Sequence, residues 1–331
     1  MKNDFGIRND HPVLNEARAK KPGLRVGLEI LVFFALFIAA SQIESIPAAI
    51  STGVWIANDR AFIDGILPLA SSGDFAGVIA FVNAFVKNMP VWLALVSLFA
   101  TVLATIVGIV FCRVIQKRGL SSMGFVRRHA VREYLLGALV GAVMISATAL
   151  LGAAFGAFRY TPAKPKWWLI ALFLLGYFFQ GMSEEVLCRS CFMVSLARRN
   201  NVWLAIAVSS GMFALLHAFN PGFGVISFVN ILLCGAFFAV YFLKRGSIWG
   251  ACAIHTFWNF FQGNFFGISV SGTGGSDAVS VFSSETLQTM KLTTGGDFGI
   301  EGSIWCTVVM AAALAITVFL VKPKKGLYDA E

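Results

Sequence analysis

Residues 167–191 read WWLIALFLLGYFFQGMSEEVLCRSC: a run broken only by Gly176 and Gln180, and then Glu184, Glu185 and Arg189 within a few residues of one another. About 20 apolar residues in a helix cross a hydrocarbon core of about 30 Å. The stretch therefore reads as a membrane helix over 167–196 that carries three ionisable groups inside it. Such groups cost about 2.5–3.5 kcal/mol each on insertion scales, so they point to a functional site.

The rest of the chain agrees with the membrane reading. Of 331 residues, 57% are hydrophobic and 13% charged, with a mean hydropathy of +0.76, outside the range of a soluble domain. The expected fold is all-α, a polytopic transmembrane bundle of about eight helices at 26–43, 91–112, 134–158, 167–196, 202–218, 223–243, 248–266 and 303–321. Helix-length runs, rather than alternating segments of about ten residues, argue against a membrane barrel. The 44–90 and 267–302 segments are expected on the outer side, the first with an apolar GVIAFVNAFV stretch suited to the interface.

Short cytoplasmic loops are rich in Lys and Arg. With the N-terminus inside, 19 of the 26 Lys and Arg residues fall on the cytoplasmic side, and eight acids fall opposite. Both termini are thus expected in the cytoplasm, as tails over 1–25 and 322–331. The net charge of +9 is explained by this topology and by anionic lipids as partners, with no nucleic acid required. Six cysteines, with no CxxC pair, read as small packing residues. No linker or repeat divides the chain, which reads as one membrane domain. Short loops and the absence of a CAAX sequence in the terminal LYDAE suit a bacterial cell membrane.

The intramembrane polar groups are few: Glu184, Glu185 and Arg189, then His217, then His255 and Asn259. Glu29, near the end of its span, is expected to reach the interface. Glu185 and Arg189 stand four residues apart, on one helix face, where the guanidinium lowers the cost of the buried carboxylate. Glu184, about 100° around the helix, is left to face elsewhere. His255 and Asn259 also share a face, as do Phe213 and His217. At about 1.5 Å per residue, Glu184 and His217 lie at about the same depth from the turn near 197–201.

A carboxylate, two imidazoles and an amide at one depth suit activation of water. Glu184 is the candidate general base, with His255 and Asn259 as donors to an oxyanion. Glu184, His217 and His255 are alternatively a zinc ligand set drawn from separate helices. The cofactor is thus none or zinc, and both routes stay open. Singly, each His or Asn is as well explained by helix–helix hydrogen bonding, and Phe213 and Trp258 as packing residues.

In these residues the chain resembles the CPBP (CAAX protease and bacteriocin-processing, or Abi) family of intramembrane proteases. EExxxR appears as Glu184-Glu185-Val-Leu-Cys-Arg189, FxxxH as Phe213-Ala-Leu-Leu-His217 and HxxxN as His255-Thr-Phe-Trp-Asn259, in the family's order. Similar context continues in 247–260 and 292–303. The resemblance implies a protease core over 113–321, preceded by two N-terminal helices with an outer loop over 26–112. It also implies an endopeptidase in which Glu184 activates water with His217, His255 and Asn259 stabilise the oxyanion, and Glu185, Arg189 and Phe213 support them. Eukaryotic members remove the last three residues of prenylated CAAX proteins, and bacterial members are associated with bacteriocin processing or self-immunity. The substrate is then a membrane-associated or prenylated-type protein or peptide. Two other readings stay open: a non-catalytic immunity or scaffold protein, and a proton-coupled transporter.

Overall fold

The computed structural model describes residues 7, 11–19, 22–87, 89–273, 279–287 and 289–323. In chain order the helices are α1 (Pro12–Arg18), α2 (Val26–Asn58), α3 (Arg60–Ser71), α4 (Phe75–Lys87), α5 (Val91–Ala100), α6 (Val102–Val110) and α7 (Ala130–Ala154). After strand β1 (Phe158–Pro162) come α8 (Trp167–Glu185), α9 (Val194–Ala197), α10 (Val202–Leu216), α11 (Val225–Arg245) and α12 (Ile248–Phe260). Strand β2 (Phe282–Thr286), α13 (Lys291–Thr294) and α14 (Ile304–Phe319) complete the order. Three π-helical segments, Phe111–Ile115, Val186–Met193 and Phe261–Phe265, continue α6, α8 and α12.

The protein is a largely helical bundle in which, among the described residues, five helices are long and apolar enough to cross a membrane: 26–58, 91–115, 130–154, 167–197 and 225–245. Two more expected spans appear as the shorter apolar helices α10 and α14. The eighth, 248–266, is α12 with its π-helical extension. On α7, Leu135, Leu139, Val143 and Leu150 are exposed while Gly137, Gly141, Ile145 and Ala149 are buried. Large aliphatics outside and small residues inside are what a lipid-facing helix requires.

α12 lies at the centre, packed on α7, α8 and α11, while α11 also packs on α10 and α14. Glycine creates its closest seam. A Cβ added at Gly137 or Gly141 would collide with the carbonyl oxygens of Gly250 and Ile254, so α7 approaches the α12 backbone where His255 begins. At the end of α11, Gly246 closes the helix in the left-handed conformation (φ 66°). Arg245 there makes a two-pronged pair with the buried Glu133 at 2.7 and 2.8 Å, and Lys244 donates to the carbonyls of Val318 and Val321 at the end of α14.

Several sequence expectations are corrected. The first span does not stop at residue 43: α2 runs to Asn58 through Pro47, and α3 and α4 follow, with GVIAFVNAFV inside α4. Hydropathy falls at Gln42–Ser45, but helical hydrogen bonding does not depend on hydropathy and continues past it. Glu29, expected to reach out to the interface, is instead fully buried in the protein, bonded to Arg198 at 3.3 Å and to the Leu24 amide at 3.0 Å. The described part of the N-terminal tail is docked: Val13, Leu14 and Ala17 of α1 are buried and Arg18 donates to the Ala197 carbonyl at 2.6 Å. The span placed at 134–158 is α7 at 130–154, and residue 158 begins β1, which pairs antiparallel with β2 from Phe158 opposite Thr286 to Pro162 opposite Phe282. Residues 282–286 of the 267–302 segment are thereby held in a sheet. Lys2, Arg8, Lys20, Lys21 and residues 324–331 of the C-terminal tail, with LYDAE, lie outside the described residues.

The cysteines are all buried with free thiols, as expected of packing residues. The closest approach is Cys112 to Cys191, 3.1 Å between sulfurs.

Candidate active site

The site is assembled where α8 changes from α- to π-helical winding. α-Helical geometry carries Glu184 and Glu185 to the end of α8, and the wider turn begins at Val186. Such bulges recur at functional sites because they free backbone groups and re-aim side chains. Here the Ser190 carbonyl is taken by the buried Arg118 at 2.7 Å, which anchors the segment from outside while Arg189 turns inward.

Glu185 is fully buried and its Oε1 accepts two hydrogen bonds, from Arg189 at 3.1 Å and from Nδ1 of His255 at 3.0 Å. The expected pairing with Arg189 is present, but Glu185 does more than support it. A carboxylate acceptor requires the proton on Nδ1 of His255, which fixes the ring orientation and turns Nε2 toward the cavity. That Nε2 lies 3.9 Å from Oε2 of Glu184. The imidazole therefore stands between the two glutamates. Phe238 stacks on it at 5.2 Å between centroids, and the Arg189 guanidinium lies 4.2 Å over the Phe213 ring, so Phe213 packs against the charge pair.

Glu184 is partly exposed, 25% for its side chain. Its Oε1 accepts from the Gln180 amide, while Oε2 has no hydrogen-bond partner. Gln180 in turn accepts from Asn259 Nδ2 at 2.9 Å. The result is a chain from Asn259 through Gln180 to Glu184 that links α12 to α8. Gln180 was not among the sequence candidates, which were chosen mainly by charge. Its signal was present in the spacing, since Gln180 and Glu184 stand four residues apart on one helix face.

His217 closes α10, with Nδ1 2.8 Å from the Phe213 carbonyl. Glu184, His217 and Asn220 line two cavities at once. One, about 390 Å³, extends past Gln180, His255 and Asn259 to the 270–273 segment; the other, about 200 Å³, extends toward α2 and includes Ser41, Glu44 and Thr101. Four sequence candidates, Glu184, His217, His255 and Asn259, thus share the larger cavity. Glu44 joins the site as a residue the sequence reading had assigned to an outer loop. A second overlooked residue, the buried Glu301, fixes one wall: it accepts from the amide and hydroxyl of Ser271 at 2.6 and 2.9 Å, from Gln262 and from Trp258.

Among the described residues no group of three or more His, Cys, Asp or Glu side chains is arranged to hold a metal ion.

With the site in view, comparison with known proteins gives one match. A family model described as "Type II CAAX prenyl endopeptidase Rce1-like" covers residues 165–261, from the start of α8 to just past α12. This is about a third of the chain, and it includes Glu184, Glu185, Arg189, His217, His255 and Asn259. No curated protein and no solved structure matches.

Proposed function

We propose that the protein is a CPBP-type intramembrane endopeptidase that hydrolyses a peptide bond of a membrane-associated or prenylated-type protein or peptide. The observation that carries this reading is His255 held between two glutamates of unlike setting: Glu185 fully buried with Arg189 and His255 on its Oε1, Glu184 partly exposed and lining both cavities. One carboxylate orients the ring; the other borders the space that water and substrate would enter.

In this mechanism Oε2 of Glu184 takes a proton from water as its oxygen attacks the scissile carbonyl. His217, on the same wall of both cavities, helps orient that water. The oxyanion forms toward His255 and Asn259, where Nε2–H of the protonated ring and the second N–H of the Asn259 amide can donate to it. Glu184 then passes its proton to the leaving nitrogen as the C–N bond breaks. Gln180 holds both ends of this arrangement, and the match to a prenyl endopeptidase family model supports the reaction class.

The proposed setting is a bacterial cell membrane crossed by eight helices, including α10, α12 and α14, with both termini on the basic cytoplasmic side. On this reading the site belongs to the half of the bilayer away from the turn at Arg198, from which Glu184 is fourteen residues distant.

The test compares wild type with Glu184→Gln, purified in detergent, on quenched peptides with and without a C-terminal prenyl-cysteine, each with and without a zinc chelator. Cleavage by wild type and its loss in the variant are expected. Undiminished cleavage by Glu184→Gln overturns the mechanism, and loss of wild-type cleavage on chelation assigns the water activation to a metal.

A further inference from the structure

Glu44 sits within α2, eighteen residues from its start and fourteen from its end. An acid at that position of a membrane-length helix is costly unless something meets it, and no cation among the described residues does so. The charge that acts on it is that of Glu184, a like charge on the same cavity. Other acids in the membrane-length helices are met differently: Glu29 by Arg198, Glu133 by Arg245 and Glu185 by Arg189.

Position makes the exception informative. The Glu29–Arg198 pair ties the start of α2 to the far end of the helix that carries Glu184. Fifteen residues along α2 from that pair lead to Glu44, about 22 Å away, and fourteen back through α9 and the π-helical segment lead to Glu184. Both carboxylates line the smaller cavity of about 200 Å³, together with the apolar Phe37, Leu187 and Leu216. A space of this kind suits a long side chain with an aliphatic stem and a charged head, because the stem lies on apolar surface while the head seeks its partner.

We propose that Glu44 is a specificity-determining residue that receives a lysine or arginine side chain of the substrate, next to the bond held over Glu184. The inference rests on the peptidase reading above and adds to it the class of residue the enzyme selects. Among the described residues no cation meets this carboxylate, and the substrate supplies one in a charge-assisted hydrogen bond. The residue belongs to α2, outside the stretch 165–261 that matches the family model, so the preference is a property of this chain's N-terminal helices.

The experiment uses paired peptides identical but for Lys or norleucine, with the substitution moved through each position on either side of the cleaved bond. Wild type is expected to favour Lys at one position by about tenfold in kcat/KM, the ratio that one modest ion pair supplies. In Glu44→Gln that ratio falls to near one, and in Glu44→Lys the preference at the same position passes to Glu. Elution as a single species and an unchanged melting temperature establish that the variants fold. A Lys:norleucine ratio that stays at the wild-type value in both variants overturns the proposal, including the case in which Glu44→Gln slows all peptides alike, as loss of a general acid would. The peptidase reading fails separately, if no peptide is cleaved in a Glu184-dependent way.

Discussion

Glu185 on α8 and Glu44 on α2 are acids of two neighbouring helices, and their surroundings differ in kind. Glu185 is sealed from solvent, with an arginine and a histidine on one oxygen. Glu44 lines a cavity that it shares with the carboxylate of Glu184. In the first region Glu185 holds Arg189 and aims the His255 ring. In the second, on the proposal above, the carboxylate is left for a cation of the substrate. Chemistry common to many substrates needs a rigid centre, whereas selection among substrates can be placed on a flanking helix that touches the same cavity.

Breaking the centre tests the comparison most severely. Glu184→Gln keeps the shape and removes the base, so kcat should fall by about 10²–10⁴-fold with the melting temperature unchanged. Glu185→Ala leaves Arg189 buried without its partner and frees the His255 ring; a loss of about 3–5 kcal/mol is expected in reversible unfolding in detergent. A melting temperature equal to wild type would show that the pair does not organise the centre.

Smaller effects sharpen the contrast. Gln180→Ala should lower kcat by about tenfold with little change in KM, because it loosens Glu184 and Asn259 without removing either. An equal rise in KM would instead place Gln180 in substrate binding. At the periphery, Arg159 and Glu285 join β1 to β2 across 3.4 Å but are 63% and 62% exposed. Arg159→Ala should therefore change stability by no more than about 1 kcal/mol, and a larger loss would mean that the sheet supports the site.

Particular residues show how far the sequence could be read. The Glu185–Arg189 pair follows from a spacing of four on one helix, a local property, and the structure has it. Helix ends were harder. Hydropathy reports where a segment leaves lipid and not where its hydrogen bonding ends, which is why α2 extends fifteen residues beyond the expected boundary and takes Glu44 with it. Glu29 was misplaced for a related reason: its partner Arg198 is 169 residues away, and no local pattern announces such a pair. Gln180 escaped notice because a neutral amide costs less to bury than a charge and was not counted among the costly residues.

Composition and periodicity by themselves determined that this is a helical membrane protein with a small set of intramembrane polar residues, because the thickness of a bilayer and the pitch of a helix act on each segment separately. Only the tertiary structure decided which glutamate is sealed in the interior and which lines the cavities, that Gln180 joins Asn259 to Glu184, and that α2 brings a further carboxylate to the smaller cavity. Those relations depend on how closely the helices approach. Here that approach is set by small residues such as Gly137 and Gly141 meeting the backbone of α12, a close-packing constraint between distant segments that no single stretch of chain contains.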